Sequence, residues 1–147
     1  MATQQTQSLT LTDYPFQAYD KLRYSDTDRQ GHINNAVFST FLETGRVELL
    51  CPEQQPLLPE NTSFVIASLN LQLRAEMHWP GTVEIGTAVT RIGNSSIHLT
   101  QSLFQNGSCT ATADTVIVQV DNTTHRSCSL TDAARAILAT YQLKQAD

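Results

Sequence analysis

The chain has 147 residues, a formal net charge of −5 and a hydrophobic share of 40%. This length fits a single domain, residues 1–147, that can bury a core without disulfides or metal ions. The acidic balance does not suit a nucleic-acid groove, which requires a basic face, so no nucleic-acid partner is expected. We expect a cytoplasmic protein without a membrane partner, because no apolar run is long enough to span a membrane and no signal-peptide pattern opens the sequence.

Hydrophobic periodicity and turn signals divide the chain into five strands and two helices. The Gln/Thr/Ser-rich start, residues 1–12, is expected to be flexible. The predicted strands are Phe16–Tyr24, Ser63–Arg74, Thr82–Arg91, Ser95–Gln105 and Ser108–Val120, and the predicted helices are Asn35–Leu50 and one from Ser129 or Thr131 to about Leu143. This order predicts an α+β fold in which an antiparallel five-stranded sheet wraps around one long helix.

The helix Asn35–Leu50 carries the clearest pattern. Its apolar stripe at helical spacing consists of Phe38, Phe41, Leu42, Gly45 and Leu49. Asn34 is a suitable N-cap, and Pro52 ends the helix soon after Leu50. A glycine inside a helix costs roughly 1 kcal/mol relative to alanine. We therefore expect Gly45 to mark close packing against a flat surface such as a sheet.

A polar loop, Tyr24 to Asn34, leads into this helix. If Asn34 caps the helix, the amide of Asn35 is left unpaired at the positive end of the helix dipole, where it would polarise a carbonyl oxygen. Asp28 lies a few residues upstream, and Gly31 allows the loop to turn back towards the helix. Asp28 could then attack that carbonyl or activate water. The alternative is that Asp28 only forms hydrogen bonds within its own loop.

Metal sites are not expected from the sequence. The loop from Asp26 matches the first eight positions of an EF-hand, but its twelfth position, which requires glutamate, is Val37. His32 is far in sequence from His78, His98 and His125, so a zinc site is not expected either. The three cysteines have no paired spacing and are expected to be reduced. No Walker A, dinucleotide-binding or G-x-S-x-G motif is present.

The loop and helix resemble the signature of hotdog-fold acyl-CoA thioesterases of the 4-hydroxybenzoyl-CoA thioesterase-like group. The matching pattern is Tyr24-x-Asp26-Thr27-Asp28-x-x-Gly31-His32-x-Asn34-Asn35-Ala36-x-Phe38, followed by Phe41-Leu42-Glu43-x-x-Arg46. The resemblance covers roughly Phe16 to Asp121 and leaves the short C-terminal helix outside. It implies the hotdog fold, in which the sheet wraps around the central helix.

The resemblance also implies roles for individual residues. Asp28 would be the catalytic carboxylate, as nucleophile or general base, and the Asn35 amide would polarise the thioester carbonyl. His32 is a further catalytic candidate, whereas Glu43 is read as an intrahelical partner of Arg46. Candidate substrate contacts are Gly31, Asn34, Arg74, Arg91, Gly93, Ser95 and Ser96. Arg74, Arg91 and the turn 93–96 are candidates by position only, and the alternative is that they are ordinary solvated strand ends. No cofactor or metal is implied, because the coenzyme A thioester is itself the substrate.

The implied assembly is a homodimer or homotetramer that binds acyl-CoA with active sites at the subunit interface. The competing interpretation is a hotdog protein that binds acyl-CoA or acyl-carrier protein without turning it over. The presence of Asp28 in its motif favours the enzyme. A hotdog dehydratase would need a catalytic histidine in a different motif, which the sequence lacks.

Overall fold

The computed structural model describes residues 9–54 and 56–143. Its strands are β1 (Phe16–Lys21), β2 (Thr62–Leu73), β3 (Thr82–Ile92), β4 (Ser96–Gln105) and β5 (Ser108–Asp121), and its helices are α1 (Asn35–Leu50) and α2 (Asp132–Ala139). Short 3-10 turns occupy Leu11–Asp13 and Tyr24–Asp26. Of the segment predicted to be flexible, residues 1–8 lie outside the described residues.

The five strands form one antiparallel sheet in the order β1-β3-β4-β5-β2. β1 and β2 are therefore the two edge strands. The predicted α+β fold is confirmed, and the bounds of β2 to β5 agree with the sequence within one residue. Neither helix among the described residues is long and apolar enough to cross a membrane.

Helix α1 buries the predicted apolar stripe against the sheet. Its buried apolar side chains, each at most 2% exposed, are Phe38, Phe41, Leu42 and Leu49. Gly45 lies so close to the sheet that an added Cβ would stand 2.6 Å from the Ile85 Cγ2 and 2.9 Å from the Gln101 Nε2. Both neighbours are fully buried, so neither can move aside freely. The close packing expected at Gly45 is thus confirmed.

Two element ends differ from the sequence prediction. The first strand stops at Lys21 rather than Tyr24, because Tyr24–Asp26 winds into a 3-10 turn. The last helix stops at Ala139 rather than near Leu143. β1 pairs with β3 only as far as Thr87, which leaves the edge of β3 open beyond that point. The chain after α2 fills that edge, since the Val89 N–H donates to the Tyr141 carbonyl at 2.8 Å.

Candidate active site

The loop before α1 is held in shape by Asp26. The Asp26 side chain is only 3% exposed. Its Oδ2 accepts from the Arg23 backbone N–H at 2.9 Å, and its Oδ1 accepts from the Arg23 Nη2 at 3.0 Å. The Asp26 carbonyl also accepts from the Asn34 N–H at 2.9 Å. Asp26 thereby ties the beginning of the loop to the residue that caps the helix.

Asp28 is the exposed carboxylate of the same loop. Its Oδ1 accepts from the Gln30 N–H at 2.9 Å and from the His32 N–H at 3.2 Å. Gly31, at a φ of +84°, makes the turn that brings these amides back to Asp28. Among the described residues, Oδ2 accepts no hydrogen bond. One carboxylate oxygen therefore fixes the side chain, and the other is available to a substrate or to water.

The start of α1 presents the unpaired amide that the sequence predicted. The Asn34 side chain accepts from the Ala36 N–H at 3.0 Å, and the Asn34 carbonyl accepts from the Val37 N–H at 2.9 Å. Within the part of the chain that the structure describes, the Asn35 N–H donates no hydrogen bond. This donor lies at the positive end of a 16-residue helix, where a developing negative charge on oxygen is stabilised.

Asp28 and Asn35 line one cleft of about 350 Å³. The other residues of this cleft, here called the Asp28 cleft, are Gln30, His32, Ile33, Phe38, Leu73, Arg74, Ala75 and Glu76. A carboxylate and a free amide that line one cleft can act together on a carbonyl group: one supplies a nucleophile or base, and the other holds the oxyanion.

The predicted substrate contacts separate into two groups. Gly31, Asn34 and Arg74 lie in or beside the Asp28 cleft. Arg74 is held there by its Nε, which donates to the Thr112 Oγ1 at 3.0 Å. The second group consists of Arg91, Gly93, Ser95 and Ser96, at the turn between β3 and β4.

That turn lies at the opposite end of the sheet from the Asp28 cleft. Leu73 and Leu103 share one row of the sheet through Ala111, whereas Ile97, beside the turn, is six residues away along β4. At about 3.4 Å per residue the separation is roughly 20 Å. Arg91, Gly93, Ser95 and Ser96 therefore do not join Asp28 within one chain, and their predicted role requires a second subunit.

Glu76, which lines the cleft, and His78, two residues further along the chain, were not predicted from the sequence. The connection between β2 and β3 runs beside the Asp28 loop, where His32 and His78 form an antiparallel bridge. The expectation that sequence distance isolates His32 from His78 is wrong, because their rings lie 5.0 Å apart. The Glu76 Oε2 lies 3.2 Å from the His32 Nε2. No local signal in the sequence predicts this long-range bridge.

A second cavity of about 390 Å³ lies between α1 and β2. This helix cavity is lined mainly by Glu43, Arg46, Val47, Leu50, Phe64 and Ile66. Arg46 is only 8% exposed and its Nη1 donates to the Gln101 Oε1 at 3.4 Å. Burial lowers the pKa of Arg46 below its usual value. The cavity is thus largely apolar with a buried cation and the Glu43 carboxylate at its lining.

The amino-acid sequence matches a known protein family. The model of the thioesterase-like superfamily matches residues 22–138. The chain belongs to this superfamily. The predicted family, the hotdog fold and the assignment to thioester hydrolases are thereby confirmed, and the matched region includes both the Asp28 loop and the whole sheet beyond β1.

Three similar proteins cover between 76% and 91% of this chain. The acyl-CoA thioester hydrolase YbgC of Escherichia coli is 28% identical over 116 residues, which cover 76% of this chain and 84% of YbgC. A predicted thioesterase from Bacillus stearothermophilus is 28% identical, with a TM-score of 0.79 and coverage of 89% and 98%. A thioesterase from Thermus thermophilus, complexed with coenzyme A and Zn, shares the fold at 23% identity, with a TM-score of 0.77 and coverage of 91% and 98%.

The two aspartates of the loop should respond differently to substitution. Asp26→Ala leaves the Arg23 backbone N–H without its buried acceptor, so it should lower the free energy of unfolding by about 1–3 kcal/mol. Asp28→Asn keeps an oxygen that accepts from Gln30 and His32, so its stability should stay within about 0.5 kcal/mol of the parent. Urea denaturation of both variants measures this difference. Equal destabilisation by the two changes would contradict the assigned roles.

Proposed function

We propose that this chain hydrolyses acyl-CoA thioesters in the Asp28 cleft. The observation that carries the proposal is that Asp28, with one carboxylate oxygen free, and Asn35, with an unpaired N–H, line the same cleft. The Asn35 amide receives the thioester oxygen, and negative charge that develops there is stabilised by the helix dipole. Support for the acyl-CoA class comes from YbgC, whose name describes an acyl-CoA thioester hydrolase.

Two chemical routes use the same geometry. In the first, the Asp28 carboxylate attacks the carbonyl carbon, the C–S bond breaks, coenzyme A leaves as a thiolate that takes up a proton, and water then cleaves the mixed anhydride. In the second, Asp28 removes a proton from water, the hydroxide attacks the same carbon, and the proton passes to the leaving thiolate. Both routes yield the free acid and coenzyme A.

The division of labour between the two aspartates supports Asp28 as the reacting group. Asp26 is buried and its two oxygens are occupied by Arg23. Asp28 is exposed and held by one oxygen only. His32 lines the cleft next to Asp28, and in this proposal it contacts the substrate rather than the reacting carbon.

Replacement of Asp28 tests the catalytic assignment. Asp28→Asn should lower thiol release from acyl-CoA by roughly 10²–10⁴-fold, because the amide can neither attack nor accept a proton. The assay is detection of free coenzyme A with a thiol reagent across short, long and aromatic acyl-CoA substrates. Glu48→Gln, the same change at an exposed residue of α1 that lines neither cavity, is the matched control and should stay close to the parent.

Two outcomes would reject parts of this proposal. Parent-like activity of Asp28→Asn, together with loss of activity in Glu43→Gln, would move the catalytic carboxylate to α1. If the parent binds acyl-CoA but releases no thiol from any substrate of the panel, the protein is a binder rather than an enzyme.

We further propose that the functional unit is a homodimer joined through β2. This edge strand exposes the side chains of Val65, Ile66, Leu69 and Leu73, each between 39% and 49% exposed. A long apolar edge with unpaired backbone groups is a template for pairing with another strand. Antiparallel pairing with the same strand of a second copy satisfies both the backbone groups and the apolar side chains.

The proposed dimer brings the two cavities together. A two-fold axis between the two copies of β2, level with the middle of the strand and perpendicular to the sheet, places the Leu73 end of one strand beside the Thr62 end of the other. The Asp28 cleft lies at the first end and the helix cavity at the second. Each active site then combines Asp28 and Asn35 from one subunit with the apolar cavity of its partner, which is suited to the acyl group.

A mixing experiment tests the composite site. Asp28→Asn should inactivate the reacting side of the site, and Val47→Trp should fill the helix cavity. When the two inactive variants are mixed and allowed to exchange subunits, half of the dimers are hybrids with one intact site. Activity should therefore return to about a quarter of the parent value.

The control for this experiment is each variant mixed with itself, which should stay inactive. Light scattering establishes the mass of every sample and also distinguishes a dimer from a tetramer. Failure of activity to return in samples that contain hybrid dimers would contradict a site shared between subunits.

A further inference from the structure

Three side chains with metal-binding atoms converge at the rim of the Asp28 cleft. The Glu76 Oε2 lies 3.2 Å from the His32 Nε2 and 3.8 Å from the His78 Nε2. One nitrogen or oxygen from each of the three residues lies within 4.8 Å of the other two. The three side chains are between 29% and 62% exposed, so an ion can reach them from solvent.

The backbone of the cluster is fixed on both sides. The Ile33 N–H donates to the Met77 carbonyl at 2.8 Å, which joins the Asp28 loop to the connection between β2 and β3. The buried Gln105 side chain accepts from the His78 N–H at 3.0 Å and donates to the His78 carbonyl at 2.7 Å. Met77 and Ile33, next to the two histidines, are at most 2% exposed. The imidazoles therefore project from anchored positions rather than from a free loop.

The spacing of the three ligand atoms suits a small transition-metal ion. Zinc binds histidine nitrogen and carboxylate oxygen at about 2.0–2.2 Å with tetrahedral geometry, which places neighbouring ligand atoms roughly 3.3–3.6 Å apart. The two separations from Glu76, 3.2 and 3.8 Å, bracket this range, and all three ligand atoms lie within 4.8 Å of one another. Two imidazoles favour zinc, cobalt or nickel over magnesium and calcium, which prefer oxygen ligands.

We propose that His32, Glu76 and His78 bind one divalent transition-metal ion such as Zn²⁺. Three protein ligands leave one position of a tetrahedral site for water or another ligand. The bound ion links the Asp28 loop directly to the connection between β2 and β3, at the rim of the cleft that both line. Metal binding by these three residues does not depend on whether the protein hydrolyses thioesters.

The alternative arrangement is a metal-free contact between the same groups. A protonated histidine can pair with Glu76, and the two rings already pack edge to face at 5.0 Å. Such a contact needs no cation. Direct metal titration separates the two arrangements, because only a ligand set gives stoichiometric binding and ligand-field absorption.

Cobalt titration of the chelator-treated protein is the test. The parent should bind one Co²⁺ per chain with visible d–d absorption bands, and Zn²⁺ should displace it. His78→Ala and Glu76→Gln should each weaken Co²⁺ binding by at least about tenfold. Thermal melting of each variant without metal should match the parent, because Glu76 and His78 are exposed side chains.

His98→Gln is the matched control, since His98 lies on β4 outside the cluster. It should bind Co²⁺ like the parent. Absence of stoichiometric Co²⁺ and Zn²⁺ binding in the parent would overturn the proposal. So would equal binding by the parent, His78→Ala and Glu76→Gln, because the ion would then lie elsewhere.

Discussion

The unpaired amide at the start of α1 is the feature on which the proposed chemistry depends. A helix end always leaves backbone N–H groups without intrahelical partners. Here the Asn34 side chain takes the Ala36 amide and its carbonyl takes that of Val37, which leaves the Asn35 N–H free among the described residues. The helix cannot shift away from this position, because Gly45 and the buried stripe hold it against the sheet.

The two aspartates of the loop before α1 have different functions: Asp26 is structural, and Asp28 is the proposed reacting group. Asp26 is buried and its carboxylate accepts hydrogen bonds from Arg23. Its backbone carbonyl accepts a hydrogen bond from the Asn34 N–H. Asp28 stays exposed and uses one oxygen to order its own loop. The sequence also allowed the alternative that Asp28 only forms hydrogen bonds within its own loop, and its Oδ1 does form such bonds. The second oxygen is what the proposed reaction uses.

Local signals were sufficient to predict the central helix and its cap. The apolar stripe has the helical period, Asn34 is a strong capping residue, and both bounds of α1 agree with the structure. The position of Gly45 against the sheet also followed from its place on that stripe. The prediction was less accurate at Lys21 and Ala139, where a 3-10 turn and an open sheet edge, rather than local propensity, decide where the element ends.

Long-range contacts were beyond the reach of the sequence pattern. Nothing local to Glu76 or His78 indicates that a bridge brings them to His32. The exposed apolar side chains of β2 could likewise not be separated from buried ones, because strand alternation does not identify an edge strand. Both Arg74 and Arg91 were predicted to contact the substrate. Arg74 lies in the cleft because β2 ends there, whereas Arg91 lies at the other end of the sheet.

The most direct measurement removes the Asn35 N–H and uses a second variant to control for the lost side chain. Proline is well tolerated at the first position of a helix, and Asn34, at φ −58° and ψ 135°, already has the backbone that precedes proline. Asn35→Pro should fold like the parent and lose roughly 10²–10³-fold in kcat for acyl-CoA hydrolysis. Asn35→Ala, which keeps the amide, should retain most of the activity. A well-folded Asn35→Pro enzyme as fast as Asn35→Ala would contradict the account.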